Sequence, residues 1–171
     1  AVPILPIVIN CVDRPLATLA RTAELGRNVG AFVRSDETLG QRVLVIGSGG
    51  ISHSPPSLIP GARDLSEQER QALITDQLET AARAINPDWD RRFLGRLSGQ
   101  QWQELGELTP EDLAPAGTGG EEVRTWVAAA FAGGEPLSTV VYEPVSEWIT
   151  GMGIAVSALL TRTTESEESQ Q

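Results

Sequence analysis

The residue best placed to do chemistry is His53, the only histidine among the 171 residues. It lies in the segment GSGGISHSPP (residues 47–56), which directly follows the apolar residues 43–46. The apolar run predicts a buried strand, and the glycines that end it allow a sharp turn with room for a ligand. Ligands bind at the carboxyl ends of strands in open α/β sheets. This position therefore favours a histidine with a chemical function over a structural histidine whose ring is hydrogen-bonded to a neighbouring group.

A second candidate is Glu122, at the start of a predicted helix that also carries Trp126. The two side chains project from a similar face because they are one helical turn apart. Glu121 fits a favourable interaction with the positive end of the helix dipole. A carboxylate that points to the interior, as predicted for Glu122, needs a partner, and a metal ion is one such partner. One histidine and one cysteine cannot by themselves build a site that needs several imidazoles or thiolates.

Three other segments allow more than one interpretation. The N–H groups of residues 47–50 could cradle an anion, although this segment lacks the endings of phosphate-binding and dinucleotide-binding motifs. Residues 142–153 bring aromatic, carboxylate and glycine residues together, which is typical of an aromatic pocket or of a packed C-terminal corner. The charged and aromatic residues 86–93 predict a helix terminus with local ion pairs.

The composition argues against several classes of partner. The 13 basic and 23 acidic residues give a net charge of −10, a field that repels phosphate backbones and argues against nucleic acid. No apolar stretch is long enough to span a bilayer and no basic segment precedes the first apolar run, so we expect neither a membrane anchor nor a signal peptide. A single cysteine forms no internal disulfide and predicts a reducing, cytoplasmic location.

The elements that must position these residues predict an α/β fold with a mixed or mostly parallel sheet flanked by helices. Residues 4–9 and 43–46 are apolar and rich in β-branched side chains, as expected for strands buried on both faces. A helical pattern over residues 16–33 separates them, so a parallel strand–helix–strand unit is predicted. The chain opens directly in this first predicted strand, which indicates part of a larger single domain. Residues 161–171 predict an acidic, disordered tail.

Capping signals predict further helices. Ser66 and Glu69 form a capping box before an apolar helical pattern. That pattern ends at Asn86, because a proline follows it. Thr109 begins another helix with a proline at its first position, and the last predicted helix starts at Glu121.

Five segments of the chain occur together in an order that is typical of one enzyme family. They are VPILPIVIN (residues 2–10), GSGGISHSPP (47–56), NPDWD (86–90), EVRTWVAA (122–129) and EWITG (147–151). Together they resemble the C-terminal half of class III extradiol catechol dioxygenases, closest to the 2,3-dihydroxyphenylpropionate 1,2-dioxygenase type. The similarity covers about residues 2–155, and we expect a dioxygenase-like α/β domain over residues 1–160.

This resemblance implies an Fe(II) ion held by two histidines and one glutamate, with O2 and a catechol in the open positions. It implies that Glu122 is the carboxylate ligand and that His53 is the acid/base residue beside the metal. The two ligand histidines of the family lie in an N-terminal half, and this chain has no residues that match them. A missing N-terminal half or a companion chain would therefore supply them, and we expect a homo-oligomer.

The function that this resemblance predicts is Fe(II)-dependent extradiol (meta) ring cleavage of a catechol such as a 2,3-dihydroxyphenylpropionate-like compound. The expected substrate pocket contains Asn10, Gly49, Gly50, Ser52 and Trp148. A non-catalytic binding protein of the same fold that has lost the metal site is the alternative. An anion-binding module that uses the glycine turn is a third interpretation.

Overall fold

The computed structural model describes residues 2–35 and 42–157, which fold into helices and one small sheet. The helices of this part are α1 (Leu19–Val33), α2 (Glu67–Arg83), α3 (Pro87–Ser98), α4 (Pro110–Leu113) and α5 (Val123–Gly133), and the strands are β1 (Leu137–Val145) and β2 (Thr150–Ser157). None of the described helices is long and apolar enough to cross a membrane. The predicted tail, residues 161–171, lies outside the described residues, and the domain limit at residue 160 stays a prediction.

Helices α1 and α5 pack closely against each other. A Cβ atom on Gly26 or on Gly30 would come within 2.3 Å of a carbonyl oxygen of α5, so glycine at these two positions allows the close approach. The Arg124 guanidinium near the start of α5 donates at 2.8 Å to a backbone carbonyl just before α1 and pairs with Glu121. These contacts hold the first turn of α5, and with it Glu122, in place.

The capping predictions at Ser66 and Thr109 are confirmed, whereas the helix predicted from Glu121 begins at Val123. The Ser66 hydroxyl accepts from the Glu69 N–H, and the Glu69 carboxylate accepts from the Ser66 N–H. Thr109 caps α4 in the same manner. Helix α3 follows Asn86, whose side chain accepts from the Trp89 N–H. The buried face of α3 then packs against α5 in the hydrophobic core.

The sheet of the described residues is antiparallel. Strands β1 and β2 pair along almost their whole lengths. On the other side of β2, the Ile51 N–H donates to the Gly151 carbonyl and the Gly151 N–H donates to the Ser52 carbonyl, both at 2.9 Å. His53 forms an antiparallel bridge with Thr150. The predicted α/β class is confirmed, and the described strands run antiparallel rather than parallel.

The two strands predicted from the apolar runs are not strands in the structure. Residues 4–9 and 43–46 have no assigned secondary structure, and most of their large apolar side chains are exposed, Val8 at 91% and Ile46 at 75%. A strand forms only where its N–H and C=O groups meet a neighbouring strand, and the described residues provide none to these two segments. The predicted parallel strand–helix–strand unit is therefore wrong for the described residues, although its helix is confirmed as α1.

Candidate active site

The backbone of His53 is held from two sides. Its N–H donates to the Ala116 carbonyl, and its carbonyl accepts from the Gly119 N–H, both at 2.9 Å. The bridge with Thr150 ties it to the start of β2. His53 therefore lies between β2 and the loop that leads to α5, and not at the carboxyl end of a parallel strand as the sequence predicted. The residue is buried, with 6% of its surface exposed.

The His53 ring has one nitrogen bound and one nitrogen open. Nδ1 lies 3.2 Å from the Ile51 carbonyl oxygen. Since a carbonyl oxygen only accepts, we assign the proton of the neutral ring to Nδ1 from this contact. Nε2 then carries the lone pair, and it lies 3.6 Å from Glu122 Oε1. A lone pair and a carboxylate that face each other at this distance are suited to hold a proton or a cation between them.

Glycines form two walls around the ring. A Cβ atom on Gly119 would lie 2.2 Å from His53 Nε2, and one on Gly50 would lie 3.0 Å from Cε1. The Gly119 distance leaves no room for a side chain, and the Gly50 distance is tighter than an ordinary contact, so backbone lines both sides of the imidazole. Gly50 was predicted as a site residue, whereas Gly119 was missed. In the sequence Gly119 belongs to a glycine-rich break whose spacing does not indicate contact with a distant histidine.

Glu122 is the last residue of a short 3-10 turn and directly precedes α5. Its Oε2 accepts from the Gly50 N–H at 2.7 Å, while 37% of its side chain remains exposed. One helical turn later, Trp126 Nε1 donates to the Gly49 carbonyl at 2.9 Å. Glu122 and Trp126 thus face the glycine turn (residues 47–50) together, as their spacing predicted. The anion bound at the Gly50 N–H is a carboxylate of the chain itself.

The described residues contain no group of three or more histidine, cysteine, aspartate or glutamate side chains that could hold a metal ion. Two side chains of these types, His53 and Glu122, lie next to each other. A non-haem Fe(II) site takes two histidines and one carboxylate. Glu122 fits the carboxylate position, because one oxygen is oriented by a backbone N–H and the other faces the imidazole. The chain has a single histidine, so it cannot supply the rest of such a site.

Ser52, the residue before His53, contacts a buried carboxylate. Asp90 is fully buried and accepts from the Ser52 N–H at 3.0 Å, from the Ser52 hydroxyl at 2.8 Å and from the Tyr142 hydroxyl at 2.7 Å. Burial raises the pKa of Asp90, and the hydrogen bonds from Tyr142 and Ser52 oppose that rise. The predicted pocket residue Ser52 therefore links His53 to this carboxylate. The sequence predicted local ion pairs for residues 86–93. Asp90 does not form one of them, because its hydrogen-bond partners, Ser52 and Tyr142, are uncharged.

The other two predicted pocket residues make different contacts. The Asn10 side chain accepts from two N–H groups of its own turn. Trp148 lies between β1 and β2 and is 64% exposed. An open groove of about 660 Å³ is lined by some of the residues in the segments 12–16, 54–64 and 110–121, among them Ser54, which follows His53. The roles of Asn10 and Trp148 in a substrate pocket stay predictions.

The chain is similar to known ring-opening dioxygenases. Residues 1–153 match the family LigB, described as the catalytic LigB subunit of aromatic ring-opening dioxygenase. Relatives named 2,3-dihydroxyphenylpropionate/2,3-dihydroxicinnamic acid 1,2-dioxygenase occur in Photorhabdus laumondii, Pseudomonas putida and Escherichia coli. The Photorhabdus relative is 35% identical over 94% of this chain, the Pseudomonas relative 36% over 88% and the Escherichia relative 35% over 89%. The chain spans 58%, 56% and 56% of the lengths of these relatives, in the same order. The chain therefore belongs to the LigB family, and its resemblance to class III extradiol dioxygenases is confirmed.

Proposed function

We propose that this chain supplies two residues of an Fe(II)-dependent enzyme that opens a catechol ring by extradiol (meta) cleavage with O2. His53 is the base and Glu122 is one iron ligand. The substrate is a catechol of the 2,3-dihydroxyphenylpropionate type, which the names of the three relatives support. The observation that carries this proposal is the approach of His53 Nε2 to Glu122 Oε1 at 3.6 Å in a member of the LigB family.

His53 is suited to take a proton because its Nε2 lone pair faces Glu122 Oε1 and accepts no hydrogen bond from the described residues. The Nδ1 proton is donated to the Ile51 carbonyl, so a proton from a catechol hydroxyl would go to Nε2. Imidazole is the side chain best suited to general base catalysis near neutral pH. Nε2 would return the same proton later in the reaction, which leaves His53 unchanged after each turnover.

Glu122 would bind the metal through Oε1, because the Gly50 N–H holds Oε2. Bound Fe(II) would lower the pKa of the catechol hydroxyls and make O2 reactive toward the ring. Since Oε1 lies beside Nε2, a catechol hydroxyl near this carboxylate would be within reach of the base. The burial of His53 and its two glycine walls limit access of water, which suppresses side reactions.

The other metal ligands would come from a part of the enzyme that this chain does not contain. The site needs two more histidines, and the chain spans 56–58% of the length of these relatives. The exposed apolar residues 4–9 and 43–46 support the proposal, because a protein or a membrane usually covers such a surface. The missing N-terminal half, or a companion chain that replaces it, would pack here, in an enzyme that forms a homo-oligomer.

The test compares the 171-residue chain with the same chain completed by the part that supplies the two histidines. Both samples receive Fe(II) without O2 and are then mixed with oxygenated 2,3-dihydroxyphenylpropionate. We expect O2 uptake and ring cleavage only from the completed enzyme. Robust turnover by the chain alone would overturn the proposed division of the site. A folded, iron-loaded, completed enzyme without turnover would favour the non-catalytic binding protein.

A further inference from the structure

Asp90 is a buried carboxylate that the proposed chemistry does not use. It receives two donors from Ser52 and one from Tyr142. The Ser52 hydroxyl, which donates to Asp90, also accepts from the Asn86 N–H at 2.8 Å. A Cβ atom on Gly151 would lie 2.0 Å from Asp90 Oδ2, so the backbone of β2 lies in close contact with the carboxylate. Asp90 thus joins α3, both strands and the segment that carries His53.

Ser52 lies between Ile51, whose carbonyl contacts the imidazole, and His53, which carries the imidazole. The contact of His53 Nδ1 with the Ile51 carbonyl joins residues two positions apart, so its geometry depends on the backbone torsions of Ser52 and His53. Asp90 binds Ser52 at both its backbone N–H and its side chain. A residue bound at two points cannot rotate freely, and the Ile51 carbonyl therefore stays in line with the ring.

We infer that Asp90 is a positioning residue: through Ser52 it holds His53 in the Nδ1–H form, with the Nε2 lone pair toward Glu122. Its effect on catalysis rests on the proposed function, whereas its effect on the ring is a property of this chain alone. A merely structural Asp90 would stabilise the fold without selecting one tautomer of His53. The two roles therefore differ in what they predict for the imidazole.

The histidine can be observed directly because it is the only one in the chain. Two-bond 15N–1H spectra of the labelled chain, recorded at a pH above the imidazole range, report which ring nitrogen carries the proton. We expect the Nδ1–H form to predominate in the wild type. Asp90→Asn, which keeps the size of the side chain and replaces one acceptor oxygen by a donor, should give a mixture of both tautomers.

Tyr142→Phe is the matched control. It removes the third donor to Asp90 and leaves both Ser52 contacts in place, so the fold loses a hydrogen bond while the Nδ1–H form should persist. A folded Asp90→Asn chain with an unchanged tautomer would overturn the inference, and so would an equal change in Tyr142→Phe. If Asp90→Asn does not fold, Ser52→Ala removes one of the two Ser52 contacts, and it must then shift the tautomer ratio for the inference to hold.

The completed enzyme tests the catalytic consequence. We expect Asp90→Asn to lower kcat by about 10- to 100-fold, the scale of a small misplacement of a reacting group, with KM and iron content unchanged. Loss of iron or a rise in KM alone would contradict positioning of the base. If the completed wild-type enzyme proves inactive, the proposed function fails, while the tautomer measurement still decides whether Asp90 controls the ring.

Discussion

Two carboxylates flank residues 50–53, and they differ in how far the chain satisfies them. Asp90 is fully buried and accepts three hydrogen bonds. The Glu122 side chain is 37% exposed. A backbone N–H holds its Oε2, and its Oε1 faces the imidazole. A carboxylate with its partners inside the chain fixes structure, whereas one with an oxygen facing a functional side chain is available to a ligand. The comparison sets Asp90, the proposed positioning residue, against Glu122, the proposed metal ligand.

The largest effect is expected at His53, whose ring faces Glu122 and whose neighbour Ser52 binds Asp90. His53→Ala in the completed enzyme should lower turnover by roughly 10²- to 10⁴-fold, because the variant lacks the proposed general base. Iron content and catechol affinity should remain, since Glu122 is untouched. Oxygen uptake and metal analysis measure these quantities. Loss of iron would identify His53 as a ligand, and wild-type turnover would make it a structural residue.

Glu122→Gln should weaken iron binding in the completed enzyme by at least the roughly 10- to 100-fold seen for indirect partners of metal ligands. The amide keeps the shape of the side chain and loses the charge that balances Fe(II). Glu111→Gln is the matched control, because it removes the same charge from an exposed residue of α4. Iron is measured per folded protein. Equal iron loss in the two variants would reject Glu122 as a ligand.

The same amide substitution should separate the two carboxylates in stability. Asp90→Asn should lower the free energy of unfolding by about 1–3 kcal/mol, because buried donors lose an acceptor. Glu122→Gln should change it by less than about 1 kcal/mol, since its side chain is partly exposed and its second oxygen binds no backbone group in the described residues. Urea unfolding followed by tryptophan fluorescence measures both. Equal losses would remove the distinction between a structural and an available carboxylate.

The smallest effect concerns Tyr142, the only tyrosine in the chain. Burial, and then its hydrogen bond to Asp90, raise the pKa of its hydroxyl above the ordinary value of about 10. The folded chain should therefore lack tyrosinate absorbance at a pH where the denatured chain shows it. Because the unfolded state loses this proton first, the contribution to stability is complete below about pH 10 and declines as the pH rises further.

Asp90→Asn supplies the control for this titration. Without a charged acceptor, the Tyr142 hydroxyl should ionise at a lower pH than in the wild type, which absorbance of the folded variant can follow. An unchanged Tyr142 titration would mean that the Asp90 carboxylate does not hold this hydroxyl. Asp90 would then accept two hydrogen bonds instead of three, and its contrast with Glu122 would be smaller.

The sequence predicted the features that depend on near neighbours along the chain. The capping box at Ser66 and the cap at Thr109 involve residues three positions apart, and both are confirmed. Glu122 and Trp126 face the same turn because helical spacing places them on one face. Local chemistry was enough for these predictions, since each partner is contained in one short segment.

The features that were missed depend on distant parts of the chain. Asp90 looked like a charge at a helix terminus, because its burial depends on Tyr142 and Ser52 from other elements. The apolar residues 4–9 predicted a strand from their composition, but composition does not show whether a neighbouring strand is present to pair with them. Gly119 was missed for a related reason, since its contact with His53 exists only after the loop before α5 has folded back.

The glycine walls beside His53 have a consequence for how such a site can diverge. A wall of backbone atoms offers no side chain to enlarge or to trim. A substitution at Gly119 would displace the imidazole, and one at Gly50 would collide first with the Thr150 side chain. New substrate preferences would have to arise where side chains can vary without moving the base. For the proposed catechol chemistry, libraries are therefore better directed at side chains that line the neighbouring groove, such as Ser57, Leu58 and Ile59, than at the glycine turn.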